Sequence, residues 1–122
     1  MKIVPNYFLI YVSDIARARA FYESIFAIEA TPLGARYVQY EIAPGVLFSL
    51  WAGKPDVVSD NPSRTTELGI AIAADNGEMD RLHEEWLAKG ATFLEPPHQD
   101  AFGYTFVVAD PDGNLIRVSP AD

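Results

Sequence analysis

The sequence predicts an α+β fold in which one module, with the element order βαβββ, occurs twice. Two observations support this prediction. NYFLIYVSD and ELGIAIAAD are both apolar runs closed by an aspartate, and an amphipathic stretch follows each of them. Three short strand-like stretches then complete each half of the chain. We therefore expect one domain over residues 1–122, with module 1 at about 1–52, a linker at 53–66 and module 2 at about 67–122.

The first strand of each module precedes a helix whose apolar residues recur at helical spacing. They are Ile15, Ala18, Tyr22, Ile25 and Phe26 in the first helix, and Met79, Leu82, Trp86 and Leu87 in the second. Ser13 or Asp14 can cap the first helix. Asp75 or Asn76 can cap the second, and Glu78, three residues after Asp75, is typical of a capping box.

The remaining strands are predicted at 29–31, 36–42 and 46–51 in the first module, and at 92–94, 104–109 and 114–119 in the second. Pro44-Gly45 and the DPDG segment at 110–113 stand at equivalent hairpin turns, where proline and glycine favour the required backbone angles. The loop EPPHQDA, which precedes Phe102-Gly103, is either a lid or a plain connection. Two such modules would form a curved eight-stranded mixed sheet, with helices outside and a cavity inside.

Side chains alternate between the two faces of a strand, which sorts the residues of the first and fifth strands. Phe8, Ile10 and Val12, and likewise Ile70, Ile72 and Ala74, are expected to face the helix. Tyr7, Leu9 and Tyr11, and likewise Gly69, Ala71 and Ala73, are expected to face the cavity. The facing of Tyr40 and Tyr104 is left open, because their strands lack clean alternation.

Composition excludes several classes of protein. The net charge of −8 argues against a nucleic-acid partner, which needs clustered Lys and Arg. The absence of cysteine excludes disulfides, thiolate nucleophiles and thiolate metal sites. The apolar runs are too short to cross a bilayer, and the start of the chain lacks a cleavage site for a signal peptide. We therefore expect a cytoplasmic protein with no membrane partner.

Beyond these patterns, the chain resembles the vicinal oxygen chelate superfamily, also called the glyoxalase/bleomycin-resistance/dioxygenase family. The resemblance rests on YFLIYVSDIARARAFYESIF, GIAIAAD and the closing FVVADPDGNLIRV, and it covers nearly the whole chain. It implies the paired-module fold, a cavity within each curved sheet and a homodimer.

Metal enzymes of that family hold a divalent cation with four side chains, commonly His, Glu or Gln, on the first and last strands of each module. The resemblance places these positions at Tyr7, Ser49, Gly69 and Arg117, where the second position can shift to Phe48. Glycine offers no side chain, and arginine is a permanent cation that would repel a metal. The resemblance thus implies the metal-free branch of antibiotic-binding proteins, with no cofactor, and disfavours an enzyme.

The candidate ligand-binding residues are Arg117, Trp51, Tyr7, Tyr11, Ser49, Tyr104 and Phe102. Arg117 either pairs with an acid of the chain or forks onto a carboxylate, phenolate or carbonyl of a ligand. Trp51 and the tyrosines of the first strand either pack in the core or stack on a planar ligand.

Two functions follow from these residues. The first is metal-independent binding of a small, planar, aromatic molecule in the sheet cavity, as in proteins that sequester antibiotics. The alternative is a metal-dependent lyase or dioxygenase with an atypical ligand set. A metal-free enzyme is neither supported nor excluded by the sequence.

Overall fold

The computed structural model describes residues 1–54, 58 and 65–121, and the chain divides into two compact units, Met1–Pro62 and Ser63–Asp122. The boundary falls inside the predicted linker, most of which lies outside the described residues. Among the described residues, no helix has the length and apolar character needed to span a membrane.

The first unit contains four strands and one helix in its described part: β1 (Tyr7–Tyr11), α1 (Ile15–Phe26), β2 (Thr31–Gly34), β3 (Tyr37–Ala43) and β4 (Val46–Trp51). The strands form one mixed sheet in the order β1-β4-β3-β2. The first and last strands of the module run parallel, and the remaining neighbours are antiparallel.

The second unit repeats this arrangement with β5 (Glu67–Ile72), α2 (Asn76–Ala88), β6 (Thr92–Asp100), β7 (Gly103–Ala109) and β8 (Leu115–Pro120). The sheet order is β5-β8-β7-β6, with β5 and β8 parallel. The predicted α+β class and the repeated βαβββ order are confirmed, with four strands in each unit across the described ranges. The predicted closure of both sheets around one cavity stays a prediction.

Local sequence signals set the ends of both helices. The Asp14 carboxylate accepts a hydrogen bond from the Arg17 backbone N–H and caps the start of α1. The helix ends at Phe26, and the next residue, Ala27, is in the left-handed region with φ 52°. In α2, Asp75 and Glu78 bond reciprocally to each other's backbone N–H groups, which is the capping box that the sequence predicts.

Each helix covers one face of its own sheet with aromatic packing. In the first unit, the Tyr22 ring meets the Phe48 ring edge-on at 5.2 Å between centroids. In the second, Trp86 meets Phe106 edge-on at 5.4 Å. Since side chains alternate along strands, these contacts define which residues face the helices and which lie on the opposite, open face of each sheet.

Two predicted boundaries are wrong. The second strand begins at Thr31 rather than Glu29. The EPPHQD segment is not a loop but the second half of β6, which extends to Asp100 and pairs with β7. The pairing register shifts between Glu95 and His98, so the two prolines fall where the ladder is already irregular. Because β6 is an edge strand, a residue without a backbone N–H is tolerated there, and a lid formed by this segment is excluded.

Candidate functional site

The open face of the first sheet carries a cleft of about 300 Å³ lined by Tyr7, Leu9, Tyr37 and Trp51. Strand pairing brings these residues together. Tyr37 pairs directly with Trp51, and the first strand contributes Tyr7 and Leu9 from the neighbouring position in the sheet. The cleft is shallow and open, and three of its four lining side chains are aromatic. Such a surface suits a flat apolar molecule with a few polar groups at its edge.

A chain of hydroxyl groups lies along this cleft, and Tyr37 is its centre. The Tyr37 hydroxyl is 2.5 Å from the Tyr7 hydroxyl, 3.1 Å from Ser49 Oγ and 3.4 Å from Gln39 Oε1. Ser49 is fully buried, whereas Tyr7 is 51% exposed. The hydrogen bond to Tyr37 and partial desolvation raise the pKa of Tyr7 above its usual 10.0. Tyr7 is therefore uncharged at neutral pH, and the chain of hydroxyl groups runs from the buried Ser49 to the solvent-facing cleft.

The Trp51 indole is held in place by its neighbours. Its ring lies edge-on to Tyr11 at 5.4 Å, and the Lys54 ammonium lies 6.0 Å from its centroid. The ring folds over Gly53 so closely that a Cβ at that position would come within 2.1 Å of it. Glycine at 53 is thus required for this orientation of the indole.

The open face of the second sheet carries charged side chains instead of hydroxyl groups. Arg117 Nε lies 2.9 Å from Glu67 Oε1, and Arg117 Nη2 lies 3.1 Å from Glu67 Oε2, which is a bidentate ion pair. Glu95 approaches the same guanidinium at 3.9 Å, and the Phe102 ring lies 4.6 Å from it. The hydrogen bond to Glu67 raises the pKa of Arg117, opposed by desolvation. The permanent charge of Arg117 is therefore already matched by acids of its own unit.

One donor of Arg117 is left over within the described part of the chain. Nη1 is buried and has no hydrogen-bond partner there, although the rest of the guanidinium is paired. The Arg117 side chain is 12% exposed. Both N–H groups of Nη1 are thus unused, but they belong to an ion-paired guanidinium rather than to a free cation.

His98 forms a second polar cluster on the edge strand β6. Its Nε2 lies 3.3 Å from both Glu95 Oε1 and Asp100 Oδ2, and its Nδ1 lies 2.8 Å from the Pro96 carbonyl oxygen. One donor atom from each of Glu95, His98 and Asp100 lies within 4.8 Å of the others, so these residues could hold a cation. The Pro96 carbonyl, and then Asp100 and Glu95, raise the pKa of His98, which favours a proton at this place. His83 lies elsewhere, against Phe93.

Four positions correspond to the metal ligands of the enzymes that this chain resembles, and they do not form a metal-binding set. They are Tyr7, Ser49, Gly69 and Arg117. Gly69 pairs directly with Arg117, and Arg117 is bound to Glu67. In the first unit, Ser49 pairs with Leu9 and reaches Tyr7 only through Tyr37. By strand register, the counterpart of Gly69 is thus Leu9 rather than Tyr7. Neither assignment supplies an imidazole or a carboxylate.

The predicted ligand-binding residues fall into three groups. Trp51, Tyr7, Tyr11 and Ser49 lie together in the first unit, whereas Arg117 and Phe102 lie together in the second. Tyr104, whose facing the sequence left open, donates a hydrogen bond to Asp80 on α2 at 2.6 Å and so lies on the helix side. Tyr40 likewise donates to Glu23 on α1.

Sequence reasoning missed two residues of these clusters. Tyr37 and Glu67 were not among the predicted ligand-binding residues, yet each is the central partner in its unit. The sequence held no direct signal for Tyr37, because counting outward from the Pro44-Gly45 turn pairs Val38 with Trp51. Tyr37 comes opposite Trp51 only through the register shift between Glu41 and Ala43. For Glu67, the only signal was its place two residues before Gly69 on the same face of β5.

These features define a repeated βαβββ protein with an aromatic-lined cleft, and comparison with known proteins gives its family. Residues 4–118 match the Glyoxalase/Bleomycin resistance protein/Dioxygenase superfamily, and the chain belongs to this family. It is 37% identical over 123 residues to the phenazine antibiotic resistance protein EhpR of Enterobacter agglomerans, covering 98% of this chain and 94% of that protein. The resemblance stated from the sequence, including its resistance-type branch, is confirmed.

Solved structures share the fold. A protein of Agrobacterium tumefaciens studied in solution superposes with a TM-score of 0.79 at 24% identity, covering 99% of both chains. A possible glyoxalase from Bacillus cereus superposes with a TM-score of 0.76 at 24% identity, covering 97% of this chain and 99% of the other. At this level of identity the similarity concerns the fold alone.

Proposed function

We propose that this protein binds a small, planar, aromatic molecule of the phenazine type in the cleft of its first unit, without the help of a metal ion, and thereby sequesters it. The 37% identity to a phenazine antibiotic resistance protein supports the class of ligand. The cleft supports it independently, because three aromatic side chains line a volume of about 300 Å³.

The observation that carries the proposal is the chemistry of the four positions where enzymes of the family hold their metal. A serine, a glycine, an ion-paired arginine and either Tyr7 or Leu9 occupy them. None of these is a usual ligand of a divalent cation in this fold. Lyase and dioxygenase chemistry therefore lacks its donor set at these positions, whereas binding by stacking and hydrogen bonds does not need it.

Each residue of the cleft has a defined part in this proposal. The Trp51 indole stacks on the ligand plane, and Tyr11 and Gly53 hold the indole in its orientation. The Tyr7 hydroxyl, which is linked to Ser49 through Tyr37, forms hydrogen bonds with the polar edge of the ligand. Arg117 and Phe102 stay proposed ligand-binding residues of the second unit.

Calorimetric titration with phenazine-1-carboxylate tests the proposal on protein dialysed against EDTA. Saturable binding at one site per chain is expected, and Trp51→Ala should weaken it about tenfold or more through lost stacking. Trp51→Phe, which retains an aromatic ring, is the matched control and should lose less. Binding that disappears after EDTA and returns with one equivalent of Zn, Ni, Mn or Fe would overturn the proposal and favour the metal-dependent enzyme.

We also propose that the protein is a homodimer and acts in the cytoplasm. The basis is the family and the exposed edge strand β1, which presents apolar residues such as Phe8 and Leu9. Sedimentation at micromolar concentration should show a dimer, and a monomer there would contradict the proposal. Fractionation of the source cells tests the location.

A further inference from the structure

We infer that the cleft selects planar ligands that carry a hydrogen-bond donor at the ring edge, such as an amino group, a hydroxyl group or a ring N–H, over ligands whose edge only accepts. This inference rests on the proposed function, because it concerns how the same cleft chooses among planar molecules. The Tyr7 hydroxyl is the group that meets the ligand, and Tyr37 is the positioning residue that fixes the direction of the Tyr7 hydrogen.

The single hydroxyl hydrogen of Tyr37 is committed to the interior of the first unit. Tyr37 donates to Ser49 Oγ at 3.1 Å, with Gln39 Oε1 as a second acceptor at 3.4 Å. Ser49 is fully buried, so water does not compete with Tyr37 for it. A phenol has one hydrogen to donate. Tyr37 therefore has none left for the Tyr7 oxygen, and towards Tyr7 it can only accept.

The direction of the hydrogen bond between the two tyrosines follows from this. Their hydroxyl oxygens are 2.5 Å apart, and because Tyr37 can only accept, Tyr7 donates. The same contact is the chief reason why the pKa of Tyr7 is raised, as expected for a hydroxyl whose hydrogen is held by a neighbour. Tyr7 lines the cleft and is half exposed. Its hydroxyl therefore offers a ligand lone pairs and no hydrogen.

The Trp51 indole does not supply the missing donor to a stacked ligand. Among the four described side chains that line the cleft, its N–H is the one donor left. The ring edge that carries this N–H lies against Gly53, where an added Cβ would come within 2.3 Å of Nε1. An indole N–H also lies in the plane of its ring, so it does not point at a ligand stacked on the ring face. Such a ligand meets the Tyr7 oxygen as the polar group at its own edge.

A ligand edge that faces Tyr7 has to match this one-sided supply. An N–H or O–H group donates to the Tyr7 oxygen and so replaces the water that it displaces. A lone pair on a ring nitrogen, an oxide or a carbonyl meets a second lone pair instead, and both groups lose water without gaining a partner. One net hydrogen bond corresponds to a change in affinity of about three- to tenfold.

Calorimetric titration with 2-aminophenazine and 2-methylphenazine tests the inference, because these compounds share a ring system and carry substituents of similar size that do or do not donate. The wild-type protein should prefer the amino compound by about fivefold. Tyr7→Phe removes the acceptor and should reduce this preference to about twofold or less, while 2-methylphenazine still binds. Tyr40→Phe is the matched control, because Tyr40 is bonded to Glu23 on the helix side, and it should leave the preference unchanged.

Tyr37→Phe tests the positioning role through a gain that a loss of structure would not produce. Without the Tyr37 oxygen, the Tyr7 hydrogen is released and can be donated to a ligand. Affinity for phenazine 5-oxide, whose edge oxygen only accepts, should then rise about threefold above that of the wild-type protein. An unchanged or lower affinity for the oxide in the folded variant would overturn the role of Tyr37.

Failure of this inference is distinguishable from failure of the proposed function. Measurable and equal binding of the amino and methyl compounds by the wild-type protein, or full preference in Tyr7→Phe, would overturn the inference and leave the proposed function standing. Binding of neither compound would overturn both. If Tyr37→Phe fails to fold, the Tyr7→Phe comparison still decides whether an acceptor at this place selects the ligand.

Discussion

The two units have the same element order but carry opposite chemistry on their open faces. By strand register, Glu67 and Arg117 occupy in the second sheet the places that Tyr7 and Ser49 occupy in the first. The second pair is a direct ion pair, whereas the first pair is neutral and bridged by Tyr37. In an ion pair, the two side chains use most of their hydrogen-bond donors and acceptors on each other. A chain of hydroxyl groups with an exposed end keeps a donor or an acceptor available to a ligand. The repeated fold therefore fixes where side chains stand, and only their chemistry decides which unit offers a binding surface.

The largest expected effect concerns the ion pair. Arg117→Met leaves Glu67 and Glu95 facing each other without a cation, so the free energy of unfolding should fall by about 2 kcal/mol. We expect less than for a fully buried pair, because the Glu67 side chain is 32% exposed. Urea denaturation measures the change.

Two controls belong to this measurement. Arg19→Met breaks the more exposed pair with Glu23 in the first unit and should cost about 0.5 kcal/mol or less. Adding Glu67→Gln to Arg117→Met should recover part of the loss. Independent, additive effects of the two substitutions would show that the pair contributes no coupling.

A smaller effect is expected in the neutral unit. Gly53→Ala places a methyl group where the Trp51 ring now lies, so the ring must move. Affinity for phenazine-1-carboxylate should fall about fivefold, with a loss of about 1 kcal/mol in stability. Gly34→Ala, at a position with open space around the added carbon, is the control and should change neither. Unchanged affinity in the Gly53 variant would remove the orientation of Trp51 from the binding mechanism.

The smallest expected effect is a pH dependence that concerns His98 in the second unit and not the cleft in the first. The pKa of His98 is raised above its usual 6.5, chiefly by the Pro96 carbonyl. Its stabilising contribution is therefore fully present below pH 6.5 and is lost as the pH rises through the folded-state pKa. Proton NMR titration of His98 should show the raised pKa, and Asp100→Asn should lower it.

The cleft should behave differently over the same range, because the pKa of Tyr7 is raised from an already high 10.0. Affinity for neutral phenazine should stay flat between about pH 6 and pH 9. A step in affinity that follows the His98 titration would contradict this prediction.

Elements were predictable from the sequence where one local signal dominated. Both helices carry an apolar stripe and an aspartate cap, and the residues of the DPDG turn satisfy the backbone angles that the turn requires. The second half of β6 was not predictable in this way, because two prolines usually end a strand. Only the edge position and the shifted register, which are tertiary features, make them acceptable there.

The candidate site was predictable only in part, for a related reason. Alternation along one strand identified Tyr7 and Trp51 as residues of the open face. The partners that determine their chemistry come from neighbouring strands, as Tyr37 does for Tyr7 and Glu67 does for Arg117. Such cross-strand partners depend on register, which a single strand does not reveal.

The placement of the two tryptophans has a practical consequence. Trp51 lines the open cleft of the first unit, whereas Trp86 is 4% exposed against Phe106 in the second, and the chain contains no other tryptophan. Each half thus carries one intrinsic fluorophore, one in contact with solvent and one shielded from it. Aqueous quenchers should reach Trp51 first, and variants that keep a single indole would report each half separately. Emission recorded during denaturation could then show whether the two halves of this repeat melt together or in sequence.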